Sequence, residues 1–391
     1  MNFSLTTTPE EEAFRQEVSD FLEVELTDEI RRQHTLDKGL GPEAREFNRK
    51  IGVKGWLGLG WPEEYGGSGG SLTYEIILIQ ELARHEARIP NTVARYLAGP
   101  AILHFGSEEM KKEFLPRIAK GEIEFALGYT EPPAGSDLMA MQMRAVEEGD
   151  FFVINGTKIF NTGCHFSDYH WLAAKTNPTG HRLQQISLFV VDMGAPGIEI
   201  RPLWTMGGER TNEVCYDNVR VPKSRLVGEK NQGFLYMIHA LNYERLAVYQ
   251  IERFFPIIDR LVNYAKETKR NGALLADDPL VRNKLAQLAV EAEVCKCIEY
   301  KALALLIDGS IPDYEAGILK LIGSEFYQRL GYMSMEVLDH FGLLEEDSDW
   351  APLKGEISRI CRSSVPDTIG AGTNEIIRNV TAVRALGLPR K

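Results

Sequence analysis

Up to about residue 122, apolar side chains recur with the spacing of a helix. In "TPEEEAFRQEVSDFLEVEL", Phe14, Val18, Phe21 and Leu22 form an i, i+4, i+7, i+8 stripe behind a glutamate-rich Thr8–Pro9 start, the pattern of a helix with one buried face. The period returns in "YEIILIQELARHEA" and "SEEMKKEFLPRIAKGE", while the clustered glycines of "GWPEEYGGSGGSL" predict a loop. From about residue 123 the period changes. "FFVINGTKIF" predicts a hairpin turning at Asn155–Gly156, and "YHWLAAKT", "QISLFVVDM", "GIEIRPLW" and "NEVCYDNVRVP" are short β-prone runs broken by Gly, Pro and Asn. Beyond about 231, helical spacing resumes in "NQGFLYMIHALNYERLAVYQIERF" and "DDPLVRNKLAQLAVEAEVCKCIEYKALALLID", both long enough for a bundle. The expected architecture is α+β and multidomain: an N-terminal helical domain (1–122), a middle antiparallel β-barrel or sandwich (123–230) and a C-terminal helical bundle (231–391).

Composition narrows the class without naming a chemistry. The 391 residues are 44% hydrophobic and 26% charged, as in an ordinary globular protein with chain enough for several cores. A net charge of −12 and the lack of a long basic run argue against nucleic acid as a partner. No stretch reaches the roughly 18 apolar residues of a membrane span, and "MNFSLTTTPEEEAF" lacks a basic region followed by an apolar block, so no secretory signal is expected. Cys164, Cys215, Cys295, Cys297 and Cys361 show no C-x-x-C spacing, which fits reduced thiols, a cytoplasmic setting and no metal site.

Three places could carry chemistry. In "GYTEPPAGSD", Thr130, Gly135, Ser136 and nearby backbone N–H groups could hydrogen-bond a polar cofactor where helix gives way to strand; on spacing alone a Pro-rich linker is the favoured reading. "IGAGTNEII" is a G-x-G-x-x-G lacking its third glycine, and "RSSVPDT" before it is a poor strand, so a Rossmann turn is not expected. Glu244 is flanked at i−4, i−3, i+3 and i+4 by Ala240, Leu241, Ala247 and Val248. A carboxylate in an apolar stripe is expensive unless paired or functional. Desolvation there would raise its pKa toward that of a general base, while a structural salt bridge remains the alternative. Arg245 beside it could meet an anion. The histidines, including His165, His170 and His340, show no metal spacing.

Taken together, these segments resemble the acyl-CoA dehydrogenase family of flavoproteins over essentially the whole chain. "GYTEPPAGSD" is similar to the family's T-E-P-x-A-G-S-D signature, "GTKIFNTG" to the segment beside the isoalloxazine, "NEVCYDNVRVP" to the end of the β-domain and "GAGTNEIIRNVTAVRALG" to the C-terminal signature. The resemblance implies FAD-dependent α,β-dehydrogenation of an acyl-CoA thioester, in which a carboxylate removes the proton next to the carbonyl and the flavin takes the hydride. It implies FAD contacts from Tyr129, Thr130, Gly135, Ser136, Phe160, Thr162, Arg270, Glu336, Thr373 and Glu375, and substrate contacts from Ser136, Leu241, Arg245 and Gly372. The backbone N–H of Ala371 would polarise the thioester oxygen.

Many members carry the catalytic glutamate just before the Gly-Thr of the C-terminal turn, where this chain has Ala371. A second lineage carries it on the first long helix of the C-terminal domain in a Glu-Arg pair, which "NYERLA" resembles; the base implied is Glu244. Phe160 stands for the usual tryptophan. Glu336, Asp339 and His340 replace family Gln and Gly residues that reach a neighbouring subunit's FAD, placing negative charge near a pyrophosphate unless another group compensates. These departures are similar to a bacterial branch acting on bulky, cyclic or steroid-derived thioesters, some members of which are α2β2 heteromers. The implied assembly is a homodimer or homotetramer, or such a heteromer with this chain as a half-site subunit, and the implied electron acceptor is an electron-transferring flavoprotein. Enoyl-CoA reduction or oxidase chemistry on the same fold remains open.

Overall fold

The computed structural model describes residues 8–36, 41–238, 240, 250–308, 310, 312 and 314–389. Helix α1 (Pro9–Glu25) starts at a capping box: the Thr8 hydroxyl accepts from the Glu11 N–H, and the Glu11 carboxylate accepts the Thr8 N–H at 2.8 Å. Val18 and Leu22 of its stripe are buried, with Phe14 and Phe21 half-buried beside Phe47, Trp56 and Leu78. Helices α2 (Asp28–Leu36), α3 (Pro42–Val53), α4 (Leu72–Arg84), α5 (Gly99–Phe105) and α6 (Glu108–Ala119) follow.

Strands β1 (Phe125–Gly128), β2 (Arg144–Glu148), β3 (Phe151–Lys158), β4 (Tyr169–Lys175), β5 (Ile186–Asp192), β6 (Ile198–Trp204), β7 (Arg210–Pro222) and β8 (Leu226–Val227) then build one sheet, in the order β6-β7-β3-β2-β4-β5-β8 with β1 on β4. The ladders are antiparallel except where β4 meets β1 and the end of β2. One side packs on α6 through Phe114, Ile118, Phe125 and Trp171; another cluster closes over Phe152, Phe189 and Val214.

The hairpin expected at Asn155–Gly156 does not form. β3 runs straight through, and Gly156, at φ 142°, marks a bulge against β7. A Cβ there would sit 2.9 Å from the Met143 Cα, so this glycine serves close approach to a neighbouring strand and not a chain reversal. The reversal comes at Gly149, φ 59°, beside the paired Glu148 and Phe151.

The chain is helical again over 233–238. Beyond 250 come α7 (Phe254–Glu267), α8 (Pro279–Ile307, capped by Asp278), α9 (Tyr314–Leu338), α10 (Glu356–Asp367) and α11 (Asn374–Arg384). Their shared core holds Phe254, Leu261, Leu288, Phe326, Leu330 and Ile360. Because α10 is a helix, Gly370 and Gly372 do not follow a strand, which removes the Rossmann reading. Among the described residues no helix is long and apolar enough to cross a membrane.

Candidate active site

The turn after β1 and the loop after β3 are locked to each other. Lys158, the buried last residue of β3, donates to the Tyr129 carbonyl at 3.1 Å and pairs with the Glu131 carboxylate at 2.8 Å. Glu131 also accepts the N–H groups of Gln142 at 2.5 Å and Met143 at 3.1 Å. A buried ion pair is tolerated when its remaining lone pairs are filled, as here. Burial holds the Lys158 pKa down to about 8 against the pull of Glu131.

This clamp sets Thr130 beside Phe160, since the Ile159 N–H donates to the Thr130 carbonyl at 3.0 Å. Asn161 fixes the next step: its N–H donates to the Asn212 carbonyl at 2.9 Å, and Asn212 Nδ2 donates back to the Asn161 carbonyl at 3.0 Å. Thr162 is half-buried, Gly135 and Ser136 are exposed, and the Tyr129 ring is buried with its hydroxyl accepting from Trp171 Nε1 at 2.9 Å.

Phe160 adopts φ 59° and is 62% exposed. A left-handed non-glycine residue is strained, and an uncovered aromatic gives up its burial energy. A flat apolar ring system laid over it would offset both, with Thr130 and Thr162 at hand for polar edges. These residues fit an isoalloxazine.

The C-terminal turn is built as tightly. Ala371 and Gly372 take φ 53° and 89°. The Gly370 N–H donates to the Pro366 carbonyl at 2.8 Å, and the Asn374 N–H donates to that of Thr368 at 3.0 Å. Thr373 caps α11, accepting from the Ile376 N–H at 3.3 Å, and Glu375 is exposed. Sequence reasoning missed Asn374. It is buried, and its Oδ1 accepts from Lys320 Nζ at 2.6 Å and Ser324 Oγ at 3.2 Å. Lys320 and Ser324 stand one turn apart on α9 and meet Asn374 from a segment some fifty residues on, which no local pattern announces.

At the far end of α9, Arg270 donates to the Val337 carbonyl at 2.9 Å and stands 3.8 Å from Asp339. Glu336 pairs with Lys284 at 2.6 Å, and the His340 side chain is 95% exposed. Both acids therefore have a cation beside them within the chain. Glu244, Arg245 and Leu241 lie outside the described residues.

A cavity of about 970 Å³ opens between the two helical parts. Its wall includes Ile89 and Thr92 ahead of α5, Gln250 just beyond the Glu244 segment, Tyr327 on α9, and Asp367, which leads into the Ala371 turn. Such a volume suits a sizeable organic ligand.

Helices, a sheet carrying a clamped polar turn beside an uncovered aromatic, and a second helical bundle that ends in a strained turn together define a three-domain dehydrogenase fold. The chain belongs to the acyl-CoA dehydrogenase family, an oxidoreductase family of FAD flavoproteins: models of the family's N-terminal, middle and C-terminal domains match residues 8–122, 126–219 and 231–386. It is 35% identical to the acyl-CoA dehydrogenase FadE26 of Mycobacterium tuberculosis, over 99% of either chain. Its structure is similar to a steroid ACAD named Tcur3481-Tcur3483, at 34% identity and TM-score 0.91 over 100% of both chains. It is equally similar to a chain of the ChsE4-ChsE5 complex from Mycobacterium tuberculosis, at 35% identity, TM-score 0.91 and 100% of both chains.

Proposed function

We propose that this chain, organised as domains 1–122, 123–230 and 231–391, catalyses α,β-dehydrogenation of a bulky or cyclic acyl-CoA thioester, with Glu244 as the base. The observation behind this assignment is Ala371. Its methyl side chain cannot accept a proton, so the base must stand on another segment, and Glu244 in "NYERLA" is the carboxylate that both the apolar stripe and the family pattern single out. The Ala371 N–H, aimed by the strained turn, would donate to the thioester oxygen as negative charge builds there. Ser136, Leu241, Arg245 and Gly372 would contact the thioester. Thr130, Phe160 and Thr162 would hold the flavin ring, and Arg270 its phosphates. When bound, FAD supplies the hydride acceptor for the β-carbon. An electron-transferring flavoprotein would then take the electrons, and the setting would be the cytoplasm.

Replacing Glu244 by Gln tests the base. Turnover should fall by roughly 10²- to 10⁴-fold while the flavin absorbance of the purified protein stays. Normal turnover in that variant would remove Glu244 from the mechanism.

A second reading rests on Glu336, Asp339 and His340, and on two structural relatives named as pairs of chains. In it this chain is one half of an α2β2 assembly whose partner completes the FAD site. Flavin stoichiometry of the chain purified alone separates the two readings, because full occupancy with activity is incompatible with the half-site.

A further inference from the structure

The strained Phe160 is held from behind by a single carboxamide. Asn161 clips the kink: its Nδ2 donates to the Ile159 carbonyl at 2.9 Å, and the Thr162 N–H donates to the Phe160 carbonyl at 3.1 Å. Asn212 on β7 is fully buried and grips Asn161 through both of its backbone groups. The Asn212 side chain has two further partners. Its Oδ1 accepts from Arg210 Nε at 3.0 Å, and its Nδ2 lies 3.1 Å from Nδ1 of His165, in the turn that follows.

An arginine N–H can only donate and a carbonyl can only accept, so Arg210 and Asn161 leave the amide one orientation. Nδ2 then has one hydrogen for Asn161 and one for His165, whose Nδ1 must offer its lone pair. The ring is therefore neutral, with its proton on Nε2. Protonation would set an N–H of the ring against an N–H of the amide, close to the Arg210 charge. His165 is half-buried, so water can deliver that proton.

Other ionisable groups flank this loop. Cys164 stays a neutral thiol, since burial pushes its pKa up to about 12. Arg45 of α3 donates to the Phe166 carbonyl at 3.2 Å and pairs with Asp168. Glu124, whose N–H donates to the Asp168 carboxylate at 2.8 Å, is raised by burial to about 7. It titrates in the range of a histidine, so pH alone does not single out His165.

We infer that Asn212 is a positioning residue for the flavin-facing turn, and that its grip on Phe160 and Thr162 weakens when His165 is protonated at Nδ1. This rests on the reading of that turn as the flavin wall. The amide orders the turn from behind, on the side away from any cofactor. A protonated ring leaves it two courses: to give up the His165 contact, or to rotate and lose Arg210 and Asn161 as well. Flavin binding, which needs the ordered turn, selects the unprotonated ring.

The readout is affinity and needs no turnover. FAD is titrated into the flavin-free full chain, in its native assembly, at about pH 5.5 and about pH 8, on either side of the roughly 6.5 of a free imidazole. In the unaltered protein FAD should bind on the order of 10-fold more weakly at the lower pH. His165→Gln keeps an acceptor oxygen and cannot titrate, so most of that difference should vanish. Asn212→Asp keeps the shape and reverses the polarity: its carboxylate repels the Asn161 carbonyl but accepts from a protonated ring. Binding should fall on the order of 10-fold at the higher pH and recover at the lower one, a reversed trend that a packing defect does not produce. Equal affinity at both pH values in the unaltered protein would overturn the inference. So would a pH difference that survives in His165→Gln, with Glu124 as its source, or the parent's trend persisting in Asn212→Asp. If Asn212→Asp does not fold, the unaltered protein and His165→Gln still decide. Phe160→Gly keeps two failures apart. Unchanged flavin affinity in that variant removes the flavin wall itself, whereas weakened affinity beside a flat pH profile in the unaltered protein removes only the role of Asn212 and His165.

Discussion

The Lys158 ammonium and the Glu131 carboxylate meet at 2.8 Å with both side chains buried, and this one contact ties the end of β3 to the turn that bears Thr130. Removing one partner strands the other charge in the interior. Glu131→Gln or Lys158→Met should each cost about 3–5 kcal/mol, read as a drop in chemical-denaturation stability. Flavin retention should fall in the same variants, because Thr130 and Phe160 lose their common anchor.

Phe160 separates cofactor binding from folding. The residue is 62% exposed at φ 59°, so Phe160→Gly discards little burial and relieves roughly 1 kcal/mol of backbone strain. Flavin-free protein should melt no lower than the parent, while the flavin dissociation constant rises. A flavin affinity unchanged in this variant would place the ring elsewhere.

At the C-terminal turn, Gly372 takes φ 89°. Gly372→Ala should cost about 1–2 kcal/mol and lower kcat by rotating the neighbouring Ala371 N–H. Ala371→Gly, at φ 53°, should keep or slightly raise stability. Thermal melts and steady-state kinetics on the pair read the two effects separately.

Glu299 gives the fold a pH dependence. It is fully buried; Oε1 accepts the Ile251 N–H at 3.3 Å, and Oε2 has no partner among the described residues. Burial pushes its pKa up to about 8 from an ordinary 4.5. The native state thus keeps a proton that the unfolded chain sheds, so stability is full below about 4.5 and declines as pH climbs toward 8. Glu299→Gln should flatten that decline, gaining on the order of 3 kcal/mol at pH 8 and much less near pH 5. Denaturation midpoints at the two values check it.

Much of the fold is readable in local pattern. The stripe of Phe14, Val18 and Leu22 and the Thr8–Glu11 cap lie within one helix, so sequence spacing alone exposes them. Asn155–Gly156 misled because a turn dipeptide states what the backbone can do, and partner strands decide what it does. Thr130 and Phe160 come from short segments that the sequence singles out, and the structure sets those segments side by side through the Ile159 N–H and the Thr130 carbonyl. Anchors such as Lys158 with Glu131 and Asn374 with Lys320 escaped, since each joins residues far apart in the chain.

Arg260 grips Glu86 at 2.6 and 2.7 Å with two nitrogens and reaches Glu356 at 2.6 Å as well. Arg84 meets Glu252 at 3.1 Å close by. The seam between the N-terminal and C-terminal helical parts is thus fastened by shared cations, and screening by salt acts on it before it acts on the greasy interiors. The protein's hold on a ligand lodged along that seam should slacken in brine while the helices themselves stay folded.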